Sequence, residues 1–448
     1  MNSLCVAMIV RDAEGLLPAC LVSVRDVAQE IVVADTGSSD STISIAKQYG
    51  ARVLQIPWTN DFSAARNRAL AEARCDWVLS MDADERLDST AWSRLPQLLE
   101  NTSVAGYQIS IRNYLGNPAE RIWDQPAKAN DSLLLSSAVY PVFGEQKAIR
   151  LFRRDPKIYF VGKLHESVEP RITAIRGPVG QADFCVHHFG FVVDQAAKAK
   201  KNQMYREIGR QKLKETPGDW QAHLELGMLE CEQFRNLVEA QRLFLQAADL
   251  NPSEGSIWFF LGLTHFRMGA FEDAVKTLRK SENCGYRTAM VAETRGDAHY
   301  NLGQFDEARA SFEFALKREA RNRTVEAKLG LATVRAGGPD RGLAQLREAL
   351  GEAPQCAELH EGLVLAFLYL DRVEDAAKAA SHKLDVLTDL FPGDYLRAAS
   401  LWAQLQDWQR SARALELGLV LHPGNGELNR AHSEVMQAAG TLEMKTLS

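Results

Sequence analysis

No run in this sequence approaches the roughly 20 apolar residues that a membrane-crossing helix needs. The stretch Leu4-Cys5-Val6-Ala7-Met8-Ile9-Val10 is apolar but short, and it runs into Arg11-Asp12. It reads as a first strand rather than a signal peptide. Cysteine is scarce and unpatterned: seven residues with no CxxC pair. That argues against a disulfide framework, and for reduced thiols and a cytoplasmic setting. Most of the seven are expected to be small core residues. Positive charge is not in excess either. A net charge of -6 leaves no global footprint for nucleic acid. The local cluster Arg150, Arg153 and Arg154 reads as a solvated face.

What is present is a globular composition, with 46% hydrophobic and 25% charged residues over 448 positions. That length predicts two or three domains. Residues 1 to about 110 alternate short apolar strands with helices. Strands are expected at Leu4–Val10, Glu30–Ala34, Arg52–Ile56 and Trp77–Met81. Helices are expected at Gly15–Val27, Ser41–Tyr49 and Phe62–Ala73. This alternation predicts an α/β domain with a mostly parallel, Rossmann-like sheet. Further strands at Gly106–Arg112, Ala148–Phe152 and Phe184–His188 complete it. The expected boundaries are a catalytic domain at 1–192, a helical linker at 193–216, helical repeats at 217–440 and a tail at 441–448.

The repeats announce themselves through glycine. Gly227, Gly262, Gly296, Gly330 and Gly362 recur every 32 to 35 residues. Gly269-Ala270-Phe271-Glu272-Asp273-Ala274 returns 34 residues later as Gly303-Gln304-Phe305-Asp306-Glu307-Ala308. Asn251-Pro252 and His422-Pro423 end helices that proline cannot continue. A period near 34, with small residues where two helices meet, resembles the tetratricopeptide repeat. An all-α solenoid of about five to six units is expected.

The chemistry concentrates where an apolar run ends in carboxylates, at Trp77-Val78-Leu79-Ser80-Met81-Asp82-Ala83-Asp84-Glu85. In an extended segment Asp82 and Asp84 point the same way. The end of a central strand is where open α/β sheets place ligands. Two hard oxygen donors there suit Mg²⁺ or Mn²⁺ carrying a phosphate. In isolation the same triplet also reads as a turn and helix N-cap.

Three further motifs stand in order around it. They are Cys5–Asp12, Val33-Ala34-Asp35-Thr36-Gly37-Ser38-Ser39-Asp40, and Asn60-Asp61-Phe62-Ser63-Ala64-Ala65-Arg66-Asn67. Together with Met81–Glu85 they resemble family 2 glycosyltransferases of the GT-A fold. His165-Glu166 and the appended repeats resemble, more narrowly, the branch of sublancin-type bacteriocin S-glycosyltransferases. The resemblance implies a nucleoside-diphosphate sugar donor, a divalent cation and inversion at the anomeric carbon.

It also implies roles for single residues. Asp84 is the first choice for metal ligation. Asp82 shares the ion or contacts the ribose, and Glu85 supports them or points into a following helix. Asp35 would accept from the base or ribose, or only cap the next helix. Arg66 would reach base or pyrophosphate with its planar fork, or sit on the surface. Asp61 is expected to N-cap its helix, or else to contact the donor sugar. His188, chosen over His187, would be the third metal ligand.

Attack from the face opposite the nucleotide needs a base for the acceptor proton. Glu166 is the candidate, away from the carboxylate pair, with His165 orienting it, binding donor phosphate or acting as base itself. The alternative for Glu166 is a loop ion pair with Arg153 or Lys163. Trp123, Tyr140 and Phe160 can stack on a sugar or fill a core. The repeats would hold a peptide or protein acceptor, or pair two copies of the chain. A saccharide or lipid-linked acceptor, and a non-catalytic adaptor, remain the alternatives.

Overall fold

Leu4–Val10 does form a strand (β1), buried on both faces apart from a half-buried Ile9. In this computed structural model, residues 2–116, 121–122, 125–132, 134–190, 195–388 and 390–446 are described; Trp123 lies outside them. The chain divides into two units, Met1–Arg235 and Asn236–Ser448. The expected boundary at 192 lies outside the described residues. The division itself falls after the first two long helices.

In the first unit β1 is followed by β2 (Glu30–Asp35), β3 (Arg52–Gln55), β4 (Trp77–Ser80), β5 (Glu85–Leu87) and β6 (Gly106–Leu115). Then come β7 (Arg121–Ile122), β8 (Gln125–Pro126), β9 (Lys128–Ala129), β10 (Val142–Arg153) and β11 (Val179–His188). The helices are α1 (Leu17–Val24), α2 (Thr42–Gln48), α3 (Phe62–Glu72), α4 (Ala91–Glu100), α5 (Glu169–Ala174), α6 (Gln195–Glu215) and α7 (Trp220–Glu232). The main sheet runs β3-β2-β1-β4-β10-β6-β11-β5, with β9 on β10. Its first four strands are parallel, as expected. Beyond β4 the sheet is mixed: β10 runs antiparallel to both β4 and β6, and β11 parallel to β6.

Alternation along β1 sorts two cores. Leu4, Val6, Met8 and Val10 pack with Leu17 and Leu21 of α1 and with Leu95 of α4. Cys5 and Ala7 face the other way, with Val32, Ala34 and Ala69 of α3. Sheets covered on both faces read as continuous apolar strands. Each fully buried Leu, Val or Met contributes about 1.5–3 kcal/mol. α3 begins where Asp61 accepts from the Ala64 N–H at 2.9 Å, an N-cap of about 1 kcal/mol.

The second unit runs from α8 (Leu237–Leu250) through α9 (Gly255–Arg267), α10 (Phe271–Asn283), α11 (Ala289–Asn301), α12 (Phe305–Arg318) and α13 (Arg323–Arg335). It continues with α14 (Pro339–Glu352), α15 (Ala357–Tyr369), α16 (Val373–Val386), α17 (Pro392–Gln404), α18 (Trp408–Leu421) and α19 (Gly426–Thr446), which occupies most of the expected tail. Consecutive helices from α9 to α18 pack against one another. The recurring glycines sit at the crossings. A Cβ on Gly262 would lie 2.7 Å from Leu278, one on Gly296 2.5 Å from Phe312, and one on Gly330 2.5 Å from Leu346. No described helix of the chain is long and apolar enough to cross a membrane.

Candidate active site

β4 ends at Ser80, and the chain then turns. The Glu85 N–H donates to the Asp82 carbonyl at 3.1 Å, a β-turn bond. The turn leads into β5, not a helix, so the helix N-cap reading of this triplet and a Glu85 pointing into a helix are both set aside. The turn also overrides the extended-strand expectation for the carboxylate pair: Asp82 and Asp84 have different partners.

Asp82 faces two arginines. Its Oδ1 accepts from Arg66 Nη2 at 2.7 Å, and Arg150 Nη2 stands 3.5 Å from Oδ2. Burial alone would raise this carboxyl; Arg66 and Arg150 hold it well below the usual range. Arg66 is buried, not a surface residue. Its Nε donates to Glu166 Oε1 at 2.5 Å and its Nη1 to Ser80 Oγ at 3.3 Å, so one guanidinium spans Asp82 and Glu166. Despite its burial it stays charged, because those two carboxylates surround it.

Arg150 is the residue that sequence reasoning missed. Ile149 and Leu151 should share a face, yet Ile149 packs with Phe152 in one core and Leu151 in the other. The register shifts between them, a β-bulge centred on Arg150. Bulges re-aim side chains, and this one carries the guanidinium to Glu85 Oε1 at 2.8 Å. Glu85 is almost fully buried, and its Oε2 accepts the Asp82 N–H at 2.9 Å. Burial pushes its carboxyl up to about 7, against the pull of Arg150. The three-arginine cluster is therefore not a uniform solvated face. The only sequence signal was an arginine between apolar neighbours.

Asp84 turns to the sheet edge. Its Oδ2 lies 3.3 Å from His188 Nε2. β11 pairs antiparallel with β5, setting His188 opposite Glu85, and the Phe189 N–H donates to the Asp84 carbonyl at 3.0 Å. His188 Nδ1 is held by Asn113 Oδ1 at 2.7 Å, a second residue the sequence did not suggest. Its partner His187 faces the other way, with Nε2 3.0 Å from Asp88 Oδ2. Gly190 closes the arrangement: a Cβ there would lie 2.2 Å from Asp84 Oδ2 and 2.5 Å from His188 Nε2.

Those two ligand atoms fit a divalent cation. They are close enough to share one ion, Asn113 orients the imidazole as outer partners do, and only glycine leaves room beside them. Asp82 is not drawn to the same point, since the arginines take both of its oxygens. At the end of β2, Asp35 Oδ1 accepts from the Gly37 and Ser38 N–H groups, both at 3.1 Å. Its Oδ2 is buried with no hydrogen-bond partner. A buried acceptor left unpaired costs about 1–3 kcal/mol. The atom is suited to a ligand donor.

Glu166 lies in the loop closed by the Val161–Ser167 bridge, with Gly162 at φ +100° and His165 at φ +52°. Asn67 of α3 anchors that loop by exchanging hydrogen bonds with the Phe160 backbone at 2.9 and 2.8 Å. Phe160 itself is core. Glu166 pairs with neither Arg153 nor Lys163. Arg153 donates to the Val104 and Asn101 carbonyls, and Lys163 pairs with Glu215. Nor is Glu166 remote from the carboxylates, since Arg66 joins it directly to Asp82. α6 adds Tyr205, whose ring packs on Phe62 at 5.8 Å. α6 also supplies Met204 to a small apolar cavity with Ile9, Thr36 and Trp58. Tyr140 stacks on Tyr114 at 5.7 Å.

Known proteins share both parts of the chain. Residues 5–158 match the family model described as glycosyl transferase family 2. Residues 261–333 match a tetratricopeptide repeat-like domain, and 233–285 and 327–382 match a tetratricopeptide repeat. A TPR repeat-containing protein of Synechococcus elongatus is 32% identical over 291 residues, covering 61% of this chain and 64% of that protein. The lipopolysaccharide core biosynthesis glycosyltransferase LpsC of Rhizobium meliloti is 28% identical over 179 residues, 38% of this chain and 56% of LpsC. The SPbeta prophage-derived glycosyltransferase SunS of Bacillus subtilis is 24% identical over 161 residues, 36% of this chain and 33% of SunS. The chain thus spans less than two thirds of the length of each of these relatives.

Proposed function

We propose a function for a chain that carries a family 2 glycosyltransferase domain followed by tetratricopeptide repeats: it transfers a sugar, with inversion, from a nucleoside-diphosphate sugar to a peptide or protein acceptor held by the repeats. The observation that carries the reading is the convergence of Asp84 and His188 beside Gly190, at the rim of the mixed sheet whose β2 ends in Asp35. Asp84 and His188 would hold Mn²⁺ or Mg²⁺, and the bound ion would stabilise charge building on the departing diphosphate. Asp35 Oδ2 would accept a hydrogen from the base or ribose. Arg66 and Arg150 would keep Asp82 ionised and fixed beside the donor. Glu166 would take the acceptor proton at Oε2, the oxygen not bonded to Arg66, with His165 next to it in the loop. A thiol acceptor asks less of that base, because cysteine ionises near neutral pH.

The test uses labelled UDP-glucose, UDP-N-acetylglucosamine and GDP-mannose with Mn²⁺ and fractionated cell extract. Label should enter the protein fraction, and Asp84→Ala should abolish transfer while leaving the melting temperature nearly unchanged. Full activity of that variant with excess chelator would exclude the metal role. The similarity to LpsC favours a second reading, a saccharide acceptor of the cell envelope. Label entering only the lipid or glycan fraction would favour it.

A further inference from the structure

β11 presents two faces, and the second holds a constellation that the transfer reaction does not use. Cys185 and His187 are two apart on the strand and point together, away from His188. Asp88 follows β5, and its N–H donates to the Cys185 carbonyl at 3.1 Å, which locks the two segments in register. His187 Nε2 lies 3.0 Å from Asp88 Oδ2 and 3.8 Å from Cys185 Sγ. One ligand atom from each of the three residues lies within 4.8 Å of the other two.

The surroundings are those of a built site. His187 Nδ1 bonds the Tyr114 hydroxyl at 2.7 Å, and the two rings stack with an interplanar angle of 9°. That fixes the ring with Nε2 toward the other two donors, as outer partners do for metal-bound histidines. Asp88 Oδ1 accepts the Thr90 N–H at 2.9 Å, leaving Oδ2 as the inward oxygen. Asp88, Cys185 and His187 all line a cavity of ≈ 830 Å³. Cys185, like Cys284 and Cys356, is only partly buried.

We propose that Asp88 Oδ2, Cys185 Sγ and His187 Nε2 form a zinc site, distinct from the Asp84–His188 pair, with its fourth position open to water from the cavity. A thiolate, an imidazole and a carboxylate are the zinc donor set, and three protein ligands plus one open position is its four-coordinate geometry. Sulfur discriminates against Mg²⁺ and Mn²⁺, which take oxygen, so the two sites would sort their ions by chemistry. Zinc there would tie β11 to the segment after β5, the two stretches that also carry His188 and Asp84.

Co²⁺, a spectroscopic substitute for zinc, tests this on the full chain. One equivalent should give a near-ultraviolet sulfur-to-cobalt charge-transfer band that Zn²⁺ displaces. The band should vanish in Cys185→Ser and survive in Cys75→Ser. Cys75 belongs to a Cys5–Glu30–Cys75 group whose glutamate is already bound by Arg52. It should also survive in Asp84→Asn, which separates this result from the fate of the transferase reading. Zinc-edge X-ray absorption on the unmutated protein gives an answer independent of variant folding, with one sulfur in the zinc shell expected. No band, a band that persists in Cys185→Ser, or a zinc shell without sulfur would overturn the proposal.

Discussion

Arg66 shows how much one side chain can organise. Its guanidinium ties α3, the turn after β4 and the Val161–Ser167 loop together through Ser80, Asp82 and Glu166. Breaking a buried pair leaves its partners charged and unsatisfied, which is far more costly than losing a surface ion pair. Arg66→Ala is expected to lower unfolding free energy by about 3 kcal/mol in urea titration. A loss under about 0.5 kcal/mol, the range of ordinary surface substitutions, would mean the hub is loose. Gly190 makes a sharper claim about function. Gly190→Ala should leave the fold intact but abolish Mn²⁺-dependent thermal stabilisation, because its methyl would sit against Asp84 and His188. Asp84 and His188, the ligand candidates that the resemblance implied, lie 3.3 Å apart. Arg150 was not legible, because strand alternation cannot register a bulge.

Elements were more legible than their joints. Strand β1 and helix α3 begin where apolar pattern and cap residue predict, and β6, β10 and β11 run longer than expected. What failed was the segment after β4: the short β5 has too few residues for any periodicity to appear. The repeats were legible because their constraint recurs. The residue in the left-handed region at each hairpin turn is Gly269, Gly303, Gly337, Asp371 and Gln406. Glycine takes that conformation freely, whereas the other two bear its cost, so a glycine search alone loses the period at Asp371 and Gln406. Gly296 tests the crossings instead. A methyl there meets the Phe312 ring at 2.5 Å, so Gly296→Ala is expected to destabilise by about 1–3 kcal/mol in chemical denaturation. An unchanged midpoint would show that α11 and α12 can separate freely.

At the scale of the whole molecule, the proposed function puts donor chemistry in the first unit and acceptor binding in the repeats. The sequence offered candidates for the donor half because sugar-nucleotide chemistry demands particular residues at strand ends. The acceptor half was not readable, since a repeat surface can recognise many partners with the same helices. The most direct measurement therefore needs no acceptor: a thermal-shift titration of nucleotide sugars and their free nucleoside diphosphates, with and without Mn²⁺. A ligand that binds only the folded state raises the melting temperature, by about 2.7 kcal/mol of added stability at a hundredfold excess over Kd. At least one nucleotide should do so in a Mn²⁺-dependent way. The Mn²⁺-dependent part should disappear in Asp84→Ala, and nucleotide affinity should weaken in Asp35→Asn. No stabilisation by any nucleotide, or a Mn²⁺-dependent shift that persists in Asp84→Ala, would contradict the account.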